Sequence, residues 1–331
     1  MKGFSFIVST HNPEPSLFRE VINNLILIAK KSTSPCELII VDNNSFIPLD
    51  QNKELVQQIN DVKWIRLIRE EKAGLTFARI AGYQHSMYEW MIFVDDDNLP
   101  NQEFIKELEH LTEKFPEVKC WGAGKIEVKY IGQVETIFLK SIKSTFQERN
   151  FSGVNFSCNR KGEEYYPPGS CMCVEKIVFE KYYNLIKKGF VTSTDRTGNS
   201  LNSAGDTQII YCCILNNFLV GSSSNLSLKH LINKKKTRIS YLLRLKYALS
   251  SCHIKAYNEV FFDNPIIVKP TTTKSILKSL YSRLRINGLF PTKKTLMDLS
   301  AVMGEHNSHH LAGGYAKPFL LRIFEMLIGH K

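Results

Sequence analysis

The first 115 residues alternate short apolar runs with amphipathic stretches, and this alternation constrains the fold more than any other feature. The apolar runs are Phe4 to Val8, Glu37 to Val41, Val62 to Ile68 and Met91 to Val94. Their centres lie 33, 25 and 27 residues apart, on Ile7, Ile40, Ile65 and Ile92. A strand, a crossover helix and a parallel strand need about 30 residues. The spacing therefore predicts an α/β fold, a mostly parallel sheet flanked by helices.

Polar residues follow three of these runs directly, as Ser9-Thr10-His11-Asn12, Asp42-Asn43-Asn44-Ser45 and Asp95-Asp96-Asp97-Asn98. In open parallel sheets, ligands bind at the carboxyl ends of the strands. We therefore expect the three clusters to form one site at one edge of the sheet.

Basic residues are concentrated towards the C-terminus. The segment from Lys229 to Thr295 has 15 Lys and Arg against only Glu259 and Asp263, whereas the rest of the chain has 28 basic and 30 acidic residues. This change predicts a domain at residues 1–228 and a helical, basic appendage at 229–331. A local excess of positive charge indicates an anionic partner such as phospholipid, nucleic acid or a diphosphate-bearing substrate.

One stripe in this appendage has helical spacing, namely Ile276, Leu277, Leu280, Tyr281 and Leu284. We interpret it as a packing face and not as a face that lies on a membrane.

Several classes of protein are excluded or disfavoured. No apolar stretch approaches the length of a membrane span, and the N-terminus lacks the pattern of a signal peptide. We therefore expect a cytoplasmic protein, with possible attachment to the inner face of the membrane. The eight cysteines contain no CxxC pair, so we interpret them as reduced structural thiols and not as a zinc site.

The triplet Asp95-Asp96-Asp97 is the strongest local signal of chemistry. Three carboxylates at the end of a buried strand repel one another unless a cation offsets their charge. Hard oxygen ligands suit Mg²⁺ or Mn²⁺, and these ions suit a diphosphate. The alternative is a solvated acidic turn that caps the next helix.

Eight short segments, in this order, resemble the inverting family 2 glycosyltransferases, which have the GT-A fold. They are Ile7 to Asn12, Ile40 to Ser45, Gly74 with Ala78-Arg79, Asp95-x-Asp97, Gly122 to Lys125, Pro167 to Met172, Asn202 to Thr207, and His230-x-Ile232 with Arg238. The resemblance covers about residues 3–245. It implies a nucleoside diphosphate sugar as donor, a glycan or lipid-linked glycan as acceptor, and a role in surface polysaccharide synthesis.

The resemblance also implies a set of binding roles. They fall to Ser9, His11, Asp42 and Asn43 for the base and ribose, Arg79, Asp95 and Asp96 for the rest of the nucleotide sugar, and Asp97, Asp95 and His230 for Mn²⁺ or Mg²⁺.

By the same resemblance, Asp206 is the candidate general base. Inversion requires the acceptor hydroxyl to attack the face opposite the leaving nucleotide while a carboxylate takes its proton. Asp206 also suits the first turn of a helix, since Thr207-Gln208-Ile209-Ile210 follows. Both roles can coexist at one helix start.

Three departures from the family pattern matter. A second carboxylate after the second strand is replaced by Asn43, and the Glu that commonly precedes the catalytic Asp is replaced by Gly205. The QxxRW motif of processive members is absent. We therefore expect an enzyme that adds one sugar at a time.

Two other functions remain open at this point. A sugar-phosphate nucleotidyltransferase should have a Gly-rich loop with Lys or Arg after the first strand, and Ser9 to Pro13 contains neither Gly nor Lys nor Arg. A non-enzymatic module would use the basic segment alone to bind nucleic acid or a membrane. A solvated cationic face is the commoner meaning of such a segment. The glycosyltransferases that this chain resembles often act on lipid-linked acceptors, and each Lys or Arg near an anionic leaflet contributes about 1 kcal/mol of attraction, so our hypothesis is docking of residues 229–295 on an anionic membrane.

Overall fold

The computed structural model describes residues 1–60, 62–160, 162–193, 195–197, 200–287 and 292–330. Ten strands belong to one sheet: β1 (Phe4–Thr10), β2 (Cys36–Asn43), β3 (Ile65–Glu70), β4 (Trp90–Asp95), β5 (Asn98–Pro100), β6 (Val118–Tyr130), β7 (Arg149–Asn150), β8 (Val154–Ser157), β9 (Met172–Glu175) and β10 (Leu219–Ile232).

The described part of the chain has eleven α-helices and three short 3₁₀ helices. The α-helices are α1 (Pro15–Lys31), α2 (Lys53–Asn60), α3 (Leu75–His85), α4 (Phe104–Lys114), α5 (Ile137–Ser141), α6 (Lys176–Lys187), α7 (Gly205–Leu215), α8 (Ile239–Val260), α9 (Thr273–Asn287), α10 (Lys293–Gly313) and α11 (Phe319–Ile328).

The sheet has the strand order β3-β2-β1-β4-β9-β6-β10-β5, with β7 beside β6 and β8 beside β10. Strands β1 to β4 are parallel to one another where they pair. The later strands add antiparallel pairs, including β4 with β9 and β10 with β5. The predicted α/β architecture of GT-A type, with a helical basic C-terminal part, is confirmed.

Strands β1, β2 and β4 form the centre of the core because their side chains are buried on both faces of the sheet. Phe6, Ile7 and Val8 are fully buried, as are Ile39 and Ile40 in the neighbouring strand. This explains why these runs are continuously apolar instead of alternating.

Helix α3 packs closely against the sheet at Gly82. A Cβ atom at this position would overlap the side chain of Ile7 in β1. Glycine therefore lets α3 approach the sheet, and Arg79 lies one turn earlier on the same helix.

The chain divides into two compact units. The first comprises Met1–Lys129, Phe146–Lys187 and Ile209–Leu231, and the second comprises Tyr130–Thr145, Lys188–Gln208 and Ile232–Lys331. Two internal segments thus join the C-terminal helices in the second unit. The domain boundary after residue 228 stays a prediction.

The second unit has its own apolar cluster, in which Tyr247, Ile276, Met303, Leu321 and Ile328 pack together. The stripe on α9 is only partly a packing face: Ile276 is buried, but Leu277 and Tyr281 are 53% and 67% exposed. The stripe is wider than the surface that the neighbouring helices cover, so the predicted packing role was wrong for these two residues.

No helix in the described part of the chain is long and apolar enough to cross a membrane. All eight cysteines are free thiols, and six of them are buried.

Three histidines of the second unit lie in surroundings that disfavour their charged form. Burial is the main cause that lowers the pKa of His306, His310 and His330 below the ordinary value. In addition, His310 Nε2 accepts a hydrogen bond from the backbone N–H of Thr271 at 3.2 Å, which only an unprotonated nitrogen can do.

We predict that the protein loses stability as the pH falls below about 6.5, the ordinary pKa of histidine. Below that pH the unfolded chain binds protons that the folded chain resists until its lower pKa values are reached, so the free energy of unfolding decreases. Thermal unfolding at pH 7.5 and pH 5 should give the lower Tm at pH 5; a loss of about 1 kcal/mol corresponds to about 2–4 °C.

The variant His310→Gln provides the control, because an amide oxygen can accept the Thr271 N–H but does not titrate in this range. It should show a smaller difference between the two pH values. An equal difference in the variant and the original protein would contradict a contribution from His310.

Candidate active site

The strand register brings the first polar residues to one edge of the sheet. Thr10 at the end of β1 lies opposite Asp42 of β2, and Ser9 lies opposite Asp95 of β4. The carboxyl ends of β1, β2 and β4 are therefore level, as the sequence predicts for parallel strands.

Asp96 and Asp97 form a tight turn between β4 and β5. Strand β5 pairs antiparallel with β10, and this places Asn98 opposite His230. The backbone N–H of Leu231 donates to the carbonyl of Asp97 at 2.8 Å. A strand pair that spans 132 residues thus brings His230 to the acidic turn.

The ring of His230 is held in a defined orientation. Its Nδ1 lies 2.9 Å from the carbonyl oxygen of Phe146, and a carbonyl only accepts, so Nδ1 bears the hydrogen. In the neutral ring, Nε2 then presents a lone pair, and it lies 3.5 Å from Oδ1 of Asp97. Two acceptors at this distance repel each other unless a proton or a cation lies between them. A carbonyl that orients the other nitrogen is typical of histidines that bind metals.

The carboxylates of the turn have distinct surroundings. Asp97 is 5% exposed, and Asn98, which is fully buried, donates from Nδ2 to Asp97 Oδ1 at 3.3 Å. Asp96 accepts a hydrogen bond from the hydroxyl of Thr10.

Within the described residues, no group of three His, Cys, Asp or Glu side chains could hold a metal ion. Asp97 and His230 can supply two ligands, which suffices for Mg²⁺ or Mn²⁺ when substrate phosphates and water complete the shell.

Ser9 carries a buried hydroxyl that has no hydrogen-bond partner among the described residues. It lies beside Asp95, which is half-buried at the end of β4. A buried polar atom without a partner is costly, so a hydroxyl at this edge is suited to a ligand.

Asp42 has a structural role that the sequence did not reveal. Its carboxylate is 2% exposed and accepts the N–H groups of Ser45 and Leu49 at 3.0 Å each, and Arg69 Nη1 lies 2.9 Å from Oδ2. Burial by itself would raise the pKa of Asp42, but hydrogen bonds from Ser45 and Leu49 and the charge of Arg69 lower it below the ordinary value. Asp42 therefore holds the loop after β2.

Asn43 holds the loop before α3. Its Oδ1 accepts the N–H of Gly74 at 2.7 Å, and its Nδ2 donates to the carbonyl oxygens of Lys72 and Glu70 at 2.8 and 3.4 Å. Gly74 has φ 135°, a conformation that favours glycine. An aspartate could not donate to Lys72, which explains the departure from the family pattern at this position.

Arg79 is buried on α3, 4% exposed, and its guanidinium lies over the ring of Phe93 at 5.7 Å.

His11 is exposed at the end of β1, and its Nδ1 lies 2.8 Å from the carbonyl oxygen of Asn43. Phe46, which the sequence analysis did not identify, is 88% exposed and packs edge-on against His11 at 5.6 Å between centroids. This exposed pair offers aromatic surface beside the predicted base site.

A cavity of about 430 Å³ lies between α2 and β3 and is lined by Asp42 and Arg69 together with apolar residues that include Val56, Ile59 and Leu67. Its volume lies within the range of small-molecule pockets. The ion pair of Asp42 with Arg69 therefore borders this cavity.

Asp206 belongs to the second unit, where it is the second residue of α7 and half-buried. The N–H of Gly205 donates to Oδ1 of Asp195 at 2.8 Å. A carboxylate in the first turn of a helix is stabilised by the helix dipole. The first unit thus contains nine of the ten predicted site residues, and Asp206 lies in the other unit.

Comparison with known proteins identifies the N-terminal part of the chain. Residues 5–162 match the model of glycosyl transferase family 2. Over these residues the chain carries a family 2 glycosyltransferase domain. A crystal structure of S. aureus TarS 1-349 is similar at 15% sequence identity, covering 95% of this chain and 92% of that chain, with a TM-score of 0.47. No curated protein matches the chain.

The match to family 2 contains the predicted nucleotide residues but neither Asp206 nor His230. In this family 2 domain, Phe46 is a candidate residue that sequence reasoning missed, whereas Asn98 belonged to a predicted polar cluster but was given no role. Asn98 directly follows the acidic triplet, so its place at the site could be predicted from the sequence. No sequence pattern indicates a binding role for Phe46, because aromatic residues occur in exposed loops for many reasons.

We predict that Asn43→Asp destabilises the family 2 domain. The variant loses the donor to Lys72 and sets a carboxylate against carbonyl oxygens, which should lower the free energy of unfolding by about 1–3 kcal/mol. Denaturant unfolding measures the change.

The matched control is Asn23→Asp, because Asn23 is exposed and uses only its oxygen, which accepts from Gln58. It should change stability by less than about 0.5 kcal/mol. Equal stability of both variants would show that the amide of Asn43 does not hold the loop.

Proposed function

We propose that this glycosyltransferase transfers one sugar, with inversion, from a nucleoside diphosphate sugar to a hydroxyl of a glycan or lipid-linked glycan in surface polysaccharide synthesis. The observation that carries the proposal is the pairing of Asp97 with His230. Both side chains are buried, and the histidine Nε2 and the carboxylate Oδ1 face each other across 3.5 Å.

Asp97 and His230 are the residues that would hold a divalent cation. The donor set of one carboxylate and one oriented imidazole suits Mn²⁺, and Mg²⁺ is the alternative. When bound, the cation would offset negative charge on the diphosphate leaving group. Asp95 and the free hydroxyl of Ser9 lie at the adjacent strand ends and would bind the ribose side of the donor.

The chain's own residues would position the nucleotide. His11 and Phe46 present exposed rings for the base, while Asp42 and Asn43 hold the loops on either side. The buried guanidinium of Arg79 adds positive charge near the diphosphate.

Asp206 would act as general base. The acceptor hydroxyl oxygen forms a bond to the anomeric carbon, the bond to the nucleoside diphosphate breaks on the opposite face, and the hydroxyl proton passes to the Asp206 carboxylate. Gly205, in place of a second carboxylate, leaves this proton transfer to Asp206 itself.

The outer face of α9 supports docking on an anionic membrane. Leu277 and Tyr281 are exposed there, and Lys274, Lys278 and Arg285 share the same face at helical spacing and are also exposed. Apolar side chains between cations are typical of interfacial helices, and each cation near an anionic leaflet contributes about 1 kcal/mol. A lipid-linked acceptor would be presented at such a surface.

We predict metal-dependent binding of one nucleoside diphosphate. Calorimetric titration with UDP, GDP and dTDP, each with Mn²⁺ and with EDTA, should show one that binds only with metal. Asp97→Ala and His230→Ala should each weaken this binding by about tenfold or more, since each removes a direct ligand.

Glu113→Gln serves as the control, because Glu113 is exposed and pairs with Lys2. Asp206→Asn should also bind normally. Equal affinity in Mn²⁺ and EDTA would overturn the metal proposal.

We further predict that the protein floats with vesicles containing phosphatidylglycerol at low salt and not with pure phosphatidylcholine. Lys274→Glu/Lys278→Glu should lower the affinity for the anionic vesicles by about tenfold or more. Lys30→Glu/Lys31→Glu makes the same change of charge on exposed residues of α1 and should retain more binding. Equal loss in both double variants would reduce the effect to net charge and exclude α9 as the docking face.

A further inference from the structure

Glu259, near the end of α8, binds residues at both ends of the segment 192–208, which leads into the first turn of α7. Its Oε1 accepts the hydroxyl of Thr192 at 2.6 Å and the Thr192 N–H at 3.2 Å. Its Oε2 accepts the N–H of Ser193 at 3.2 Å and Nε2 of Gln208 at 2.7 Å. One carboxylate thus joins residues 15 or more positions apart, all within the second unit.

The carboxylate is suited to hold these groups firmly. The side chain of Glu259 is 10% exposed, and Lys255 Nζ lies 3.6 Å from its Oε1. A buried carboxylate is stable only when hydrogen bonds replace the water it has lost. The four donors from Thr192, Ser193 and Gln208 therefore form a set in which each contact supports the others.

Gln208 links this set to the start of α7. It is fully buried and lies two residues after Asp206. Successive residues of a helix are about 100° apart, so residues 206 and 208 point to nearly opposite sides. Holding Gln208 therefore fixes the rotation of the first turn and, with it, the direction of Asp206.

A second carboxylate holds the same turn by its backbone. Asp195 is 1% exposed and accepts the N–H of Gly205, the residue directly before Asp206. The two carboxylates hold different groups of the first turn of α7. Asp195 binds the backbone N–H of Gly205, and Glu259 binds the side chain of Gln208.

We infer that Glu259 is a positioning residue for catalysis, which orients Asp206 through Gln208. This inference rests on the proposed function, in which Asp206 is the general base. It also gives a specific role to one of only two acidic residues in the basic segment from Lys229 to Thr295.

The test compares Glu259→Gln with Glu325→Gln. Glu325 is a matched control, because it is a carboxylate of the second unit whose side chain is 15% exposed and which accepts from Tyr247 and pairs with Lys317, away from the segment before α7. The measurements are nucleoside diphosphate release from the donor whose nucleotide the titration identifies, and hydrogen exchange of residues 200–208. Glu259→Gln should lower kcat by about tenfold or more with little change in donor KM, because small misplacement of a catalytic group is costly. Its amides at 205–208 should also exchange faster than in Glu325→Gln.

The double variant Glu259→Gln/Gln208→Glu keeps one buried carboxylate and re-forms the contact with donor and acceptor exchanged. It should recover part of the lost kcat, a rescue that a general loss of stability does not produce. It also serves as the test should Glu259→Gln fail to fold.

The outcomes separate the two proposals. If Asp206→Asn retains kcat, the assignment of the base is wrong and the role of Glu259 in orienting it falls as well. If Asp206→Asn is inactive but Glu259→Gln and Glu325→Gln have the same kcat, only the positioning role of Glu259 is overturned. The same result follows if the double variant shows no recovery over Glu259→Gln.

Discussion

The in-register pairing of β1 with β2 and β4 is the constraint on which the rest of the first unit depends. In this register Thr10 lies opposite Asp42 and Ser9 lies opposite Asp95, so the four residues reach the same edge. Their apolar neighbours are buried on both faces, and a shift of one residue would move polar side chains into the core. The hydrophobic core thus determines where the polar residues meet.

At this edge, the side chains of Asp42 and Asn43 use their hydrogen-bonding groups to hold neighbouring loops, which leaves fewer of these groups for a ligand. Asp42 holds the turn to Leu49, and Asn43 holds the loop at Gly74, each through buried hydrogen bonds. Ser9 keeps a buried hydroxyl without a partner among the described residues, and the ring of His11 is exposed. The division has a physical cause, because a loop at the edge of a sheet can be rigid only if its backbone groups find partners in the chain.

The second unit applies the same chemistry on helices. Glu259 and Asp195 tie the entry of α7 to buried carboxylates, while the surface of α9 keeps its cations and two large apolar side chains in solvent. The excess of positive charge in the sequence therefore lies largely outside the buried hydrogen-bond network. The basic segment from Lys229 to Thr295 has only two acidic residues, and one of them, Glu259, accepts four hydrogen bonds.

Local patterns in the sequence determined the elements of the fold. The spacing of apolar runs predicted β1 to β4 and the helices between them, because periodicity reports which faces of a segment are buried. It also predicted the polar edge and the acidic turn, and family resemblance added Asp206 and His230. The tertiary structure alone decided the contacts between distant segments: the pairing of β5 with β10 that brings His230 to Asp97, the amide bonds of Asn43, the exposure of Leu277 and Tyr281, and the four bonds of Glu259. These depend on which surfaces meet across more than 25 residues of chain or on what a neighbouring helix covers, and no local periodicity carries that information.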